Sequence, residues 1–251
     1  MLSMYENMTP DEIYDAAQER GDHYRRFFHL GNIATNVKYN NIVLGADNIP
    51  KGPAVFVGNH VRKIDSTLLS LAVTKTTDLP LRMLAKSDYF DPHTLGEKLN
   101  LIIITNTGAI PVDRRDLSKE KMKKLSQRAL GVLAAGESIG VHGEGTRTDY
   151  LHRFHNSMMR VAMEAGVPMV PFACQYPETS GLHRPVAITQ FGEAITPEEY
   201  HSDSWLIYPG KANKANHAAK VLNDRVAGLM GIPHHRRVFD FAPIPPRKNK
   251  E

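Results

Sequence analysis

The sequence predicts an α/β fold in which a largely parallel sheet is covered by helices on both faces. From about residue 39, short apolar runs alternate with longer segments of helical periodicity. Strands that alternate with helices in this way are typical of a parallel sheet. The 251 residues are 41% apolar and 23% charged, which excludes wholesale disorder and fits one domain with an appendage.

The first 38 residues are predicted to form a helical appendage. Thr9 supplies an N-cap hydroxyl, Pro10 suits the first helical position, and Glu12 completes a capping box. An apolar face with helical spacing follows at Tyr24, Phe27 and Phe28. Because the first half of this segment is acidic and anionic lipid would repel it, we expect this face to pack against the main domain.

The main domain is predicted to span residues 39–233. Its expected strands are 42–44, 54–57, 81–85, 101–104, 138–141, 168–173 and 186–191, and the run from residue 108 is also strand-like. Its expected helices are 66–73, 117–135, 154–165 and 212–229. Residues 234–251 form a basic, proline-rich tail, either a disordered segment or a loose electrostatic tether to an anionic membrane.

Charge and cysteine content narrow the functional classes. A net charge of +4 points to anionic partners such as phosphates or acidic lipid, and we expect no nucleic-acid partner. Cys174 is the single cysteine, so an internal disulfide and a Cys-x-x-Cys zinc site are excluded. No apolar run approaches the roughly 20 residues of a spanning helix, and no signal peptide is visible. We therefore expect a cytoplasmic protein, soluble or peripheral on the inner face of the cell membrane.

His60 and Asp65 are the strongest candidates for a catalytic pair. His60 follows the predicted strand 54–57, and Asp65 opens a predicted helix, whereas the equally spaced His235 and Asp240 lie in the tail. Open α/β sheets bind ligands at the carboxyl ends of their strands. The carboxylate can orient one ring nitrogen while the other removes a proton from a substrate hydroxyl. The alternatives are an ordinary N-cap for the aspartate and a polar loop position for the histidine.

Two further segments suit a phosphate group. Residues 108–115 end in the basic pair Arg114 and Arg115, and residues 143–148 combine two glycines with Arg147. Glycine lets the backbone approach a ligand closely, and a guanidinium can bind phosphate through two hydrogen bonds. The basic residues between 119 and 128 are expected to form the solvated face of an exposed helix.

In this order and spacing, these segments resemble the glycerolipid acyltransferase family, specifically the 1-acylglycerol-3-phosphate acyltransferases. The resemblance covers about residues 40–195. The family motif N-H-x4-D matches Asn59, His60 and Asp65, and G-x-I-x-V-D-R matches residues 108–114. The motif F-P-E-G-T-R-S corresponds to residues 142–148, and V-P-x-V-P matches residues 167–171. Four motifs in order are far more specific than any one of them.

The resemblance implies a mostly parallel, mixed sheet flanked by helices, with residues 39–233 as the acyltransferase domain. It implies acyl transfer from acyl-CoA or acyl carrier protein to lysophosphatidic acid, with His60 as general base and Asp65 as its orienting partner. The acceptor phosphate would be held by Arg114, Glu144, Gly145, Thr146 and Arg147. Within that set, we expect the glutamate to orient an arginine or a hydroxyl, since like charges repel. No metal or redox cofactor is expected.

Three departures from the family pattern concern the acceptor side. His142 and Gly143 stand where the family usually has Phe-Pro, Thr148 replaces a serine, and Arg62 stands where a small serine is frequent. They leave open a same-family enzyme that uses a glycolipid, polyketide-like or amino-lipid hydroxyl. A non-catalytic protein that binds lipid or acyl carrier is the other alternative.

Overall fold

The computed structural model describes residues 5, 8–19, 24–116, 118–178, 184–205 and 211–232. The predicted tail from residue 234 lies outside these residues. The strands within them are β1 Asn40–Leu44, β2 Val55–Gly58, β3 Leu81–Lys86, β4 Ile110–Val112, β5 Ser138–His142, β6 Met169–Gln175 and β7 Val186–Phe191.

These strands form one sheet in the order β1-β7-β6-β2-β5-β3-β4. β6 and β7 pair antiparallel, and every other neighbouring pair is parallel. The predicted mostly parallel, mixed sheet is therefore confirmed. The helices are α1 Pro10–Glu19, α2 Tyr24–Lys38, α3 Asp65–Thr77, α4 Leu95–Asn106, α5 Lys119–Ala134, α6 Ser157–Ala165, α7 Pro197–His201 and α8 Lys211–Leu229. A short 3₁₀ turn, Ser87–Phe90, follows β3.

The sheet separates two apolar cores. Val55 and Val57 of β2 belong to the core shared with α5, α6 and α8, whereas Phe56 belongs to the core shared with α3. Successive side chains of a strand point to opposite faces, and all three residues are almost completely buried. Both faces of the sheet are thus covered by helices, as predicted.

The predicted strand 101–104 is wrong, because these residues lie inside α4. Thr94 accepts a hydrogen bond from the Glu97 N–H at 3.2 Å, and the Glu97 carboxylate accepts from the Thr94 N–H at 2.9 Å. This capping box starts a helix, and a run of four apolar residues does not by itself distinguish a strand from a buried helix. The strand-like run from residue 108 contains β4, and the other predicted strands and helices of residues 39–233 are confirmed with small shifts of their ends.

Among the described residues of the predicted appendage, the helices α1 and α2 pack against residues of the predicted main domain. The capping box of Thr9 is present, with 2.7 Å between its N–H and the Glu12 carboxylate. Tyr24 is buried, and its hydroxyl lies 3.0 Å from that of Thr74 in α3. Arg128, which the sequence places on a solvated helix face, instead contacts α1 through Asp11 and Asp15. The prediction that the appendage packs against the domain is confirmed.

Candidate active site

The carboxyl ends of β2, β5 and β6 meet at one edge of the sheet. Gly58 at the end of β2 is paired with His142 of β5 and Phe172 of β6. Asn59 follows, and its buried side chain bonds both backbone groups of Cys174, with 2.7 Å to the N–H and 3.0 Å to the C=O. These bonds fix the residue that precedes His60.

His60 and Asp65 form a hydrogen-bonded pair at this edge. The distance between His60 Nδ1 and Asp65 Oδ2 is 3.0 Å. The side chain of Asp65 is 0% exposed, whereas that of His60 is 16% exposed. The same carboxylate oxygen accepts the N–H groups of Val61 at 2.6 Å and Arg62 at 2.8 Å. Asp65 therefore fixes the loop around the imidazole as well as its orientation.

Tyr176 completes the surroundings of the carboxylate. It follows β6, and its hydroxyl donates to Asp65 Oδ1. The guanidinium of Arg62 lies 4.1 Å from the centre of the Tyr176 ring. Burial works to raise the pKa of Asp65, but the hydrogen bonds from His60 and Tyr176 outweigh it and lower that pKa. Burial and then the charge of Asp65 raise the pKa of the Tyr176 hydroxyl, so the tyrosine remains a donor.

The imidazole of His142 lies flat against that of His60. The ring centres are 3.9 Å apart and the planes differ by 11°. Nδ1 of His142 lies 2.7 Å from the carbonyl oxygen of Asn59, and Nε2 lies 2.9 Å from the hydroxyl of Ser66. Loss of water contact, and then the proximity of His60, lowers the pKa of His142 to about 3.

Glu144 joins two loops through backbone hydrogen bonds. Its side chain is buried, and its oxygens accept the N–H of His60 and the N–H of His152, each at 2.9 Å. The expectation that it orients an arginine or a hydroxyl is therefore wrong. Burial raises the pKa of this carboxyl to about 7.

Of the other predicted phosphate residues, three follow Glu144 directly in the chain, and Arg114 follows β4. Gly145 has φ of +67°, in the left-handed region that favours glycine, and a Cβ there would lie 3.1 Å from the His155 ring. Arg114 is exposed. The pKa of His155 is lowered mainly by burial and secondarily by the nearby charge of Arg114. Thr146 is half-buried, and Arg147 is exposed and forms no ion pair with a described residue.

Three contributors to the site were not predicted from the sequence. Tyr176, Ser66 and the role of His142 as a neighbour of His60 depend on contacts between residues 76 or more positions apart in the chain, or on the packing of strand ends. Their positions in the chain could have indicated two of them. His142 ends β5 and Tyr176 follows β6, and a parallel sheet brings the carboxyl ends of its strands to one edge. Among the described residues, no cluster of His, Cys, Asp or Glu could hold a metal ion.

The helices α2 and α4 expose an apolar surface, which we call the α2–α4 face. It consists of exposed side chains on these two adjacent helices: Leu30, Ile33 and Val37 of α2, and Leu95, Leu99 and Ile103 of α4. Gly31 of α2 faces Thr67 in the first turn of α3, which places α2 next to the helix that begins at Asp65. None of the described helices has the length and apolar character needed to cross a bilayer.

Comparison with known proteins identifies the family. The Acyltransferase family model matches residues 41–175. A probable 1-acyl-sn-glycerol-3-phosphate acyltransferase of Mycoplasma pneumoniae is 26% identical over 152 residues, which are 59% of this chain and 54% of that protein. The 1-acyl-sn-glycerol-3-phosphate acyltransferase of Borreliella burgdorferi is 30% identical over 135 residues, 52% of this chain and 49% of that protein. The chain thus spans about half the length of these curated relatives.

A solved structure shares the fold. The crystal structure of the 1-acyl-sn-glycerophosphate (LPA) acyltransferase PlsC from Thermotoga maritima matches with a TM-score of 0.53 and 18% identity, over 82% of this chain and 79% of that one. The family match covers more than half of the 251 residues and includes both His60 and Asp65. This chain therefore belongs to the Acyltransferase family.

Proposed function

We propose that this chain transfers an acyl group from an acyl thioester to the hydroxyl of lysophosphatidic acid, which yields phosphatidic acid. The observation that supports this most is the bonded His60–Asp65 pair at the end of β2. Membership of the Acyltransferase family, and the names of the two curated relatives, agree with this reaction.

The mechanism follows from how the imidazole is bonded. Nδ1–H of His60 donates to Asp65, so Nε2 carries the lone pair and accepts the proton of the acceptor hydroxyl. The resulting oxygen nucleophile attacks the thioester carbonyl and forms the ester bond. The carbon–sulfur bond then breaks, and the thiolate leaves with the proton that His60 received. Asp65 stabilises the imidazolium between these two steps.

The acyl group passes directly from donor to acceptor in this proposal. Cys174 is buried, and burial raises the pKa of its thiol, so it is unsuited to carry the acyl chain as a thioester. The donor is acyl-CoA or acyl carrier protein, and the chemistry needs no metal or redox cofactor.

The acceptor phosphate is assigned to the two exposed arginines near the site. Arg114 and Arg147 offer guanidinium groups that can bind phosphate through paired hydrogen bonds. Gly145 and Thr146 supply close backbone approach and a hydroxyl on the same loop. The buried hydrogen bonds of Glu144 hold this loop against His60, so its contribution to acceptor binding is to shape the loop.

A water-insoluble acceptor requires contact with a lipid surface. The α2–α4 face provides exposed apolar area next to α3, and the net charge of +4 favours an anionic membrane. We assign peripheral membrane binding to this face. The alternative acceptors with glycolipid, polyketide-like or amino-lipid hydroxyls share the same His60 chemistry and differ only in what the arginines bind.

The test is the release of free thiol from a panel of acyl-CoAs, with and without lysophosphatidic acid. His60→Ala is expected to lower kcat by about 10²–10⁴-fold, the usual contribution of a general base. His93→Ala is the matched control, because it removes a histidine whose side chain is 79% exposed and pairs only weakly with Asp91. This variant is expected to retain wild-type turnover. Acceptor-dependent thiol release by His60→Ala within about tenfold of wild type contradicts the proposed mechanism.

Arg147→Ala tests the acceptor site. We expect its KM for lysophosphatidic acid to rise about 10-fold to 100-fold, since a charge-assisted hydrogen bond contributes about 1.5–3 kcal/mol. The KM for acyl-CoA should stay unchanged, and so should turnover of monoacylglycerol, which lacks the phosphate. Arg160→Ala on the exposed side of α6 is the control. An equal loss with both acceptors contradicts a phosphate role for this arginine and favours a different acceptor class.

A further inference from the structure

One side chain bridges both ends of the loop that carries the catalytic pair. His142 Nδ1 lies 2.7 Å from the carbonyl oxygen of Asn59, the residue before His60. His142 Nε2 lies 2.9 Å from the hydroxyl of Ser66, the residue after Asp65. Because Gly58 is paired with His142 across the β2–β5 ladder, strand pairing places this imidazole next to the loop that follows β2.

The hydrogen-bond partners define the tautomer of His142. A carbonyl oxygen only accepts, so Nδ1 carries the proton and donates it to Asn59. The lone pair of Nε2 then accepts the hydroxyl proton of Ser66. Both ring nitrogens are thus occupied by protein groups, and this imidazole has no nitrogen left for a substrate.

The ring face of His142 covers one face of His60. The centres are 3.9 Å apart with 11° between planes, and the ring of Phe172 packs edge-on against His142, 5.8 Å away. Asp65 already fixes Nδ1 of His60. The stacked ring therefore restrains the remaining freedom of His60, which is the tilt of its plane. A neutral aromatic face also favours the imidazolium that His60 becomes during the reaction.

We propose that His142 is a positioning residue for acyl transfer, which sets the plane of His60 and ties together the two ends of the loop that holds His60 and Asp65. This inference rests on the proposed role of His60 as general base. It assigns two separable contributions to one side chain: ring stacking, and hydrogen bonds to Asn59 and Ser66.

Substitutions separate these contributions. His142→Phe keeps a stacking ring and removes both hydrogen bonds. His142→Gln keeps hydrogen-bonding groups and removes the ring. Ser66→Ala removes one of the two bonds and leaves His142 in place. The double variant His142→Phe with Ser66→Ala tests whether Ser66 acts through His142.

Thiol release is measured for these variants and for His60→Ala, with kcat given per folded molecule and folding checked by thermal melting. His142→Phe and His142→Gln are each expected to lower kcat about 10-fold to 100-fold, the effect of a slightly misplaced catalytic group. The KM values for donor and acceptor should stay within about twofold, since substrate contacts are untouched. Ser66→Ala should lower kcat about threefold to tenfold, as expected for one hydrogen bond, with no further loss in the His142→Phe background.

Several results would overturn the positioning role. The first is a kcat within about twofold of wild type for both His142→Phe and His142→Gln. The second is a lower melting temperature of these variants with unchanged kcat per folded molecule. The third is that the effects of Ser66→Ala and His142→Phe on kcat are additive. A loss in Ser66→Ala as large as that in His60→Ala would instead make Ser66 a reacting group. If His142→Phe does not fold, His142→Gln and Ser66→Ala carry the same test. Full activity of His60→Ala contradicts the proposed function itself, and is thereby distinct from failure of the positioning role.

Discussion

Glu144 is a buried carboxylate whose two hydrogen bonds hold the His60 loop against the loop at His152. Burial raises its pKa to about 7, from an ordinary value of 4.5. Between these pH values the folded protein binds more protons at Glu144 than the unfolded chain does. The stabilising contribution of this proton uptake is complete below about pH 4.5 and is lost as the pH rises through 7.

Glu144→Gln removes this ionisation, so the variant should lose less stability than wild type as pH rises. The difference in the free energy of unfolding between the two proteins is expected to change by on the order of 3 kcal/mol between pH 4.5 and pH 7.5, at about 1.4 kcal/mol per pKa unit. Urea unfolding at a series of pH values measures it. Parallel pH dependences in the two proteins would show that Glu144 does not titrate in this range.

At the residue scale, the sequence could predict local relationships but not long-range ones. His60 follows β2 and Asp65 begins α3 only five positions later, so their setting between a strand and a helix was sufficient to pair them. The contact of Tyr176 with Asp65 joins residues 111 positions apart, and no local pattern encodes it. The expectation for Glu144 concerned side-chain partners only, whereas its buried carboxylate accepts hydrogen bonds from backbone N–H groups of two loops.

At the scale of elements, the close approach of β2 and β6 depends on Gly58. A Cβ at this position would lie 2.2 Å from the carbonyl oxygen of Phe172 and 2.7 Å from its ring. That oxygen belongs to the backbone of β6, so it cannot move aside as a flexible side chain would. The end of β2, which leads to Asn59 and His60, can therefore pack this closely against β6 only because residue 58 has no side chain.

Gly58→Ala is expected to lower the free energy of unfolding by about 1–3 kcal/mol, as overpacking in a core does. Its kcat should fall too, because the strands must separate where the catalytic loop begins. Gly131→Ala in α5 is the matched control: it meets no atom within 4 Å and should stabilise the protein by up to about 1 kcal/mol through helix propensity. Thermal unfolding and thiol release measure both variants. Equal stability of Gly58→Ala and wild type would contradict the packing argument.

Most elements were predictable because their apolar patterns are strong, whereas α4 was predicted as a strand and the short α7 was not predicted. Residues 101–104 have the composition of a strand, yet Thr94 and Glu97 start a helix ahead of them. The capping box is present in the sequence, but the predicted strand depended on the apolar run alone. β4, by contrast, has only three residues and was expected only as a strand-like run within a motif.

At the scale of the whole molecule, the α2–α4 face lies on the flank of the domain beside α3. Ile33→Glu combined with Leu99→Glu should abolish flotation with anionic liposomes at low salt, because two charges on an apolar contact oppose insertion. Val43→Glu, on an exposed apolar position of β1, is the control and should float like wild type. Thermal melting confirms that each variant is folded. Unchanged flotation of the double variant would contradict the proposal that the α2–α4 face contacts the membrane.

The sequence predicted the fold class but gave no signal for the strand that reverses direction. β7 alternates half-buried and buried side chains, a pattern that an antiparallel strand shares with a parallel strand near an edge. The mixed character of the sheet was predicted only from the family resemblance. Periodicity reports burial on each face of a strand, and it carries no information about which way the chain runs.

The reversal at β7 decides from which side the polypeptide enters the sheet. β1 runs parallel to β7 and therefore opposite to β2, so β1 starts at the rim where β2 finishes. Tyr39, just ahead of β1, accordingly meets Tyr176 with 6.2 Å between ring centres. The end of α2 that leads into Tyr39 and the end of β2 that leads into His60 therefore lie at one rim of the sheet. A lipid bound to α2 as proposed would meet the His60 loop without crossing either helical layer.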